Sequence, residues 1–239
     1  MSSQLQANEG KALTNTADGV TYERLPIKTH VVMPDDDLHQ VVRTYAEPVV
    51  QDGDILFVTE KIVAITQGRS MLLEEIKPRK LATKLSKYVT RTPYGIGLGM
   101  PETMEMALRE CGTPRILFAA AVSVVSKKLL RRSGDFYRVA GEKARAIDGP
   151  TEGTIAPYDR SVVLGPENPN RVATDLKALL GNRVEVLIVD INDIGGNILG
   201  STLDHKRNEH WAQVLADNPL GQGTQSTPMG IIRPRTDNK

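Results

Sequence analysis

The chain has 239 residues, enough for one large domain or two intimately packed lobes, and its 40% hydrophobic and 25% charged residues are ordinary for a protein that buries a core. A net charge of +1 removes the electrostatic case for nucleic acid or a membrane surface as partner. The single Cys111 excludes an intramolecular disulfide framework, and with no apolar or basic leader in residues 1–18 the expected compartment is the cytosol.

Residues 1–21 are polar and expected to be a disordered tail. A strand at Val31, a helix over 38–45, a strand over 55–59 and a helix over 79–89 follow. Pro101 starts a helix over 101–111 with acids in its first turn. The apolar run 116–126 is too short and too interrupted by serine for a membrane span, and reads as a buried strand or a core helix. Then come strands at 136–140 and around Val162, a helix over 170–180, a strand from Val184, a helix over 208–216, a strand over 229–233 and a tail, 234–239. Strands and helices mix without regular βαβ alternation, so the expected class is α+β (mixed α/β), with mixed sheets flanked by helices.

The stretch 186–197, Val-Leu-Ile-Val-Asp-Ile-Asn-Asp-Ile-Gly-Gly-Asn, reads as a buried strand that delivers Asp190, Asn192 and Asp193 to a glycine turn. Ionised carboxylates are costly to desolvate unless a cation or donor meets them, and a hard ion such as Mg²⁺ takes oxygen ligands. An Asx turn, with Asn192 and Asp193 bonding their own backbone, explains the same residues without a ligand. Asp148, in Ala146-Ile147-Asp148-Gly149-Pro150-Thr151, has a similar setting, an apolar approach and a glycine turn.

These elements together resemble the coenzyme F-420-0:gamma-glutamyl ligase family, in which an Ala-Gly-Val-Asp-x-Ser-Asn element precedes a Leu-Pro-x-Asp-Pro helix start and a strand ending in Ser-Asp-Thr. Asp148 matches the first metal-binding aspartate of that pattern, Thr151 its asparagine, and Asp190 the second aspartate, with Asp193 as the alternative if the turn is longer. Residues 52–69, Asp-Gly-Asp-Ile-Leu-Phe-Val-Thr-Glu-Lys-Ile-Val-Ala-Ile-Thr-Gln-Gly-Arg, resemble the family's Gly-Asp-x-Leu-Val-Val-Thr-Ser-Lys element. Residues 218–233 resemble its closing glycine-rich loop and last strand. The resembling domain spans 22–233, and 99–137 looks inserted relative to the family.

The resemblance implies γ-glutamyl ligation through an acyl phosphate, with Mg²⁺ or Mn²⁺ at Asp148, Asp190 and Asp193, and GTP or ATP as co-substrate. Lys61, Arg69, Thr151 and the loop Gly221-Gln222-Gly223 are the candidate nucleotide contacts, small carboxylates and amino acids the substrates, and a homodimer the assembly. Departures bear on that expectation. The family's nucleotide-contacting serine falls on Glu60 and its lysine on Ile65, which repel or cannot bond a phosphate. The missing charge is expected from Lys61, Arg69, Lys127 or Arg131. A binding module that keeps the fold without ligase activity is the other reading. Gly95–Gly99 matches no phosphate fingerprint, the basic run 127–132 reads as a solvated face, and His205 and Glu209 share a helical face with no third ligand, so with His210 they read as surface or helix-start residues.

Overall fold

Asp18 and Gly19 both hold positive φ, 50° and 77°, the geometry of a type I′ turn that joins two strands through two residues. They connect β1 (Thr14–Ala17) to β2 (Val20–Ile27) in an antiparallel hairpin, so the expected disordered tail to residue 21 ends in strand. The computed structural model describes residues 5–89, 97–127, 135–151, 153–193 and 195–235. No strand forms at Val31. There Asp36 Oδ2 accepts the Met33 N–H at 2.7 Å and the Asp36 N–H donates to the Met33 carbonyl at 3.0 Å, which turns the chain. Asp37 then caps α1 (Leu38–Tyr45) by accepting from the N–H groups of His39 and Gln40. β3 (Ile55–Thr59) runs directly into α2 (Glu60–Thr66).

The chain divides into two units, Met1–Gly68 with Pro166–Lys239, and Arg69–Gly165. The second contains β4 (Ser70–Leu72), α3 (Lys80–Ser86), α4 (Pro101–Glu110), α5 (Thr113–Val125), α6 (Asp135–Ala140), α7 (Glu142–Arg145) and β5 (Ser161–Val163). β4 and β5 pair antiparallel, and the helices bury Met104, Leu108, Ile116 and Ala119 in one core. The apolar run near Ile116 is helical, with Pro114 in its first turn. The strand expected at 136–140 is the helix α6. A short aromatic run carries no period of its own, and Asp135 with Arg138 at i,i+3, 3.2 Å apart, suits a helix instead. The segment 99–137 therefore supplies much of this unit's core.

The first unit resumes with α8 (Pro169–Leu179), β6 (Glu185–Asn192), β7 (Gly195–Ser201), α9 (Asn208–Val214) and β8 (Met229–Pro234). Its six strands form one sheet in the order β1-β2-β8-β3-β6-β7, parallel between β3 and β6 and antiparallel elsewhere. The parallel pair carries the two continuous apolar runs, as strands covered on both faces do. Trp211 and Val214 of α9 close one face over Phe57, Leu187, Val189 and Ile232. The sheet and its flanking helices are the mixed α/β arrangement expected.

Two glycines set how closely backbones approach. A Cβ on Gly230 of β8 would lie 2.6 Å from Phe57 Cζ, and one on Gly200 of β7 would lie 2.4 Å from the Pro169 backbone at the start of α8. Between β3 and β8, Asp54 is 2% exposed and receives Arg233 Nε and Nη2, each at 2.7 Å, and the Gln51 N–H at 2.7 Å. Removing one partner of such a pair strands the other charge, so Asp54→Ala is expected to cost about 3–5 kcal/mol, read from the urea unfolding midpoint.

Glu105, 2% exposed in α4, has burial pushing its carboxyl up, but bonds from the Arg79 side chain and N–H and from Arg109 outweigh this and hold it below its ordinary 4.5. A carboxyl that titrates lower when folded stabilises fully above pH 4.5 and loses that contribution as pH falls through the folded value. Glu105→Gln is therefore expected to flatten the acid limb of the stability profile below pH 4.5, seen as a smaller drop in midpoint between neutral and acid buffer.

Candidate functional site

Period-two alternation in β6 turns Leu187, Val189 and Ile191 toward the Trp211 core and leaves Ile188, Asp190 and Asn192 on the opposite face. The strand does not stop at Asp190. It pairs Asp190 with Asn197 and Asn192 with Gly195, so the strand runs two residues beyond the expected end. Asp193 thus sits at the hairpin tip and Asp190 one turn of the pleat inside it, half-buried.

The tip meets the glycine-rich loop. Asn218, 1% exposed with φ 51°, donates from Nδ2 to Asp193 Oδ1 at 2.9 Å. Its carbonyl accepts the Gly221 N–H at 3.0 Å, and Gly221 turns at φ 70°, a conformation that suits glycine. Gln222 and Gly223 follow, exposed. Two stretches singled out from the sequence, the aspartate turn and the Gly221–Gly223 loop, are therefore joined by one side-chain bond.

The N-terminal segment completes the cluster. Lys11 Nζ lies 2.8 Å from the same Asp193 Oδ1 and 3.2 Å from the Asp217 carbonyl. Asn8 Nδ2 donates to the Leu220 carbonyl and to Thr227 Oγ1, each at 2.6 Å. Beneath them Arg24, fully buried, bonds the Asp217 carboxylate, the Val214 carbonyl at 3.1 Å and the Ala12 and Thr14 carbonyls at 2.9 Å. Neither Lys11 nor Arg24 stood out in the sequence, because both fall in or beside the stretch read as a tail. The Asp18-Gly19 turn was the signal that this stretch is folded.

Asp193 is held below its ordinary 3.8 by the Lys11 ammonium first and the Asn218 amide second, against a smaller opposing effect of burial. An ammonium between a carboxylate and a carbonyl oxygen marks a place whose donors are hard oxygens, the type Mg²⁺ or Mn²⁺ accepts. Among the described residues no three His, Cys, Asp or Glu side chains converge, so a divalent ion here would complete its shell with water or phosphate.

Asp148 and Thr151 belong to the second unit. Asp148 exchanges both backbone bonds with Val163 of β5, at 2.8 and 2.9 Å, which fixes it at the end of a short ladder, and Thr151 Oγ1 donates to the Gly149 carbonyl at 3.4 Å. Lys61 stands half-buried in the first turn of α2. Ile65, at the position of the family's lysine, is 1% exposed, so α2 uses it as core. Arg69 Nε donates to the Gly165 carbonyl at 2.6 Å and Nη2 to Glu110 Oε1 at 2.7 Å, where Lys143 Nζ also arrives at 3.1 Å. Lys127 is exposed; Arg131, the rest of the basic run and Gly95 lie outside the described residues. Burial and the neighbouring Glu110 push the Cys111 thiol up, as fits a structural cysteine. His210 bonds Asp18 and the Tyr22 hydroxyl, so it serves the hairpin.

A model of the F420-0:Gamma-glutamyl ligase family matches residues 26–199, and the chain belongs to that family. It is 27% identical over 174 residues to the coenzyme F420:L-glutamate ligase of Methanopyrus kandleri, an overlap covering 70% of this chain. The chain spans 58% of that relative's length. Asp148, Asp190 and Asp193 lie inside the family match, whereas Lys11, Arg24, Asn218 and the Gly221–Gly223 loop lie outside it.

No helix among the described residues is long and apolar enough to cross a membrane. Asn218→Ala removes one of the two donors on Asp193, so the Asp193 carboxyl is expected to titrate closer to 3.8, as followed by carboxyl-carbon NMR across an acid titration.

Proposed function

We propose that the chain is a metal- and nucleotide-dependent amide ligase that activates a small carboxylate as an acyl phosphate and couples it to the amine of an amino acid, with glutamate the first candidate. The observation that carries this reading is the bond from Asn218 to Asp193, which ties the aspartate hairpin to the exposed glycine loop. Family membership supports the reaction class, and the relative's printed name supports glutamate.

Little covalent chemistry falls to the protein in phosphoryl transfer; positioning and charge neutralisation do most of it. A divalent ion, when bound, neutralises charge on the phosphoryl oxygens. Asp190 and Asp193 carry the negative charge that would hold it, with Asp148 as the third acid the resemblance implies. The Gly221-Gln222-Gly223 loop offers backbone donors with no Cβ at two of three positions, which suits close approach to an anion. Buried Ile65 in place of a lysine favours the second reading, a nucleotide-free binding module. We propose a homodimer as the assembly.

Phosphate release from GTP or ATP with Mg²⁺, screened over carboxylate and amino-acid pairs, tests the proposal. Release that needs both substrates is expected, and Asp190→Asn is expected to lower it about 100-fold or more while the unfolding midpoint stays near that of the parent. A chain that binds neither nucleotide at saturating metal in calorimetry supports the binding module instead. Sedimentation at micromolar concentration reads the dimer.

A further inference from the structure

We propose that the outward face of α5 is where a second copy of this chain docks, helix against helix across a twofold axis. The assignment rests on the homodimer reading above, to which it gives a surface, and is independent of the ligase chemistry.

α5 (Thr113–Val125) carries more apolar surface than its own unit covers. Ile116 and Ala119 turn into the core, where both are fully buried. Leu117, Phe118, Val124 and Val125 point away from it and remain 43%, 64%, 49% and 53% exposed, with Ala121 exposed between them. The spacing i, i+1, i+4, i+7, i+8 gathers these five into one stripe, roughly 120° wide at about 100° per residue. Seven large hydrophobic side chains are exposed among the described residues, and four of them are on this one helix. Exposed hydrophobics scattered singly need no explanation, but a contiguous stripe marks a contact surface.

Area and charge both favour a second copy as what covers it. The stripe leaves roughly 350 Å² of apolar surface, the scale of patches that mark interaction sites on soluble proteins. Two such faces, in an interface about 60% apolar, correspond to about 1,200 Å² in total, where specific stable interfaces begin. No Asp, Glu, Lys or Arg stands between Arg115 and Lys127. A twofold contact brings the residue nearest its axis against itself, so a charge there would meet its like; a different partner could have supplied the opposite sign. The uncharged run fits the self-contact.

Shape agrees. Two helices that cross at about −50° touch at their midpoint and diverge toward their ends. Ala121 stands at the midpoint of the stripe, and its short side chain lets the two axes close there. Leu117 and Phe118 on one side, and Val124 and Val125 on the other, fill the spaces flanking the crossing. Divergence carries Arg115 and Lys127, the cations at the two ends of the run, away from their counterparts. The face lies wholly within the second unit, so the contact needs nothing from the first.

The test uses the full chain and sedimentation equilibrium at micromolar concentrations. The parent is expected to be a dimer, and Phe118→Asp to raise its dissociation constant about a hundredfold or more, because each substitution enters a twofold interface twice. Far-UV circular dichroism should stay that of the parent; if Phe118→Asp does not fold, Val124→Asp on the same stripe is expected to give the same monomer. With Cys111→Ala as background, Ala121→Cys is expected to form a disulfide-linked dimer under mild oxidation, and Asp52→Cys, exposed in the first unit, is not. A dimer that survives both aspartate substitutions and does not cross-link at 121 overturns this surface and leaves the homodimer reading standing. A parent that is monomeric throughout overturns both. If that monomer floats with phosphatidylglycerol vesicles and Phe118→Asp does not, the face belongs to a lipid surface; if the Ala121→Cys variant resists thiol labelling, the chain covers the face itself.

Discussion

The buried guanidinium of Arg24 is the constraint on which the proposed site depends. A charge taken fully out of water is costly unless its donors are met, and Arg24 aims both terminal nitrogens at two stretches far apart in sequence, the carbonyls of Ala12 and Thr14 and the Val214 carbonyl with the Asp217 carboxylate, while its Nε has no partner among the described residues. Those partners fix the N-terminal strand against the end of α9. The loop from Asn218 to Gly223 begins at that junction, so the position of Asn218, and through it of Asp193, is inherited from the Arg24 fork.

The family match and the proposed site do not have the same extent. The match carries the aspartates and the parallel pair β3 and β6, while the fastening of the glycine loop comes from residues before 26 and after 199. A scaffold can retain a hairpin while the groups around it are rebuilt, and fold alone does not fix the chemistry. In this chain Ile65 of the helix after β3 lies in the core, and Arg69 serves the packing of the second unit.

Legibility from sequence followed the strength of the local signal. The helix at 38–45 and the strand at 55–59 were placed to the residue, because a capping aspartate and a continuous β-branched and aromatic run mark them. β7 was missed because its apolar pair, Ile198 and Leu199, is short and lies between Gly196, which abuts β6, and Gly200, which abuts the start of α8. The strand expected at 136–140 proved wrong because the six residues of α6, Asp135–Ala140, are too few to separate the two periods. For the site, Asp193 and the Gly221–Gly223 loop were both visible as oxygen donors and glycines, but the bond joining them spans 25 positions and leaves no periodic trace. Lys11 was hidden for a different reason: a polar segment looks solvated until its turn is recognised as a hairpin.

The sheet order also bears on how the chain is made. β8, the last element, fills the slot between β2 and β3. Until synthesis reaches Pro234, both earlier strands keep an unpaired edge, the surface through which nascent chains associate wrongly. The second unit, by contrast, is one uninterrupted stretch ending at Gly165, and all its residues leave the ribosome before the first unit's sheet can close. The order of emergence therefore gives the first unit, which carries the aspartate hairpin, the longest exposure to chaperones.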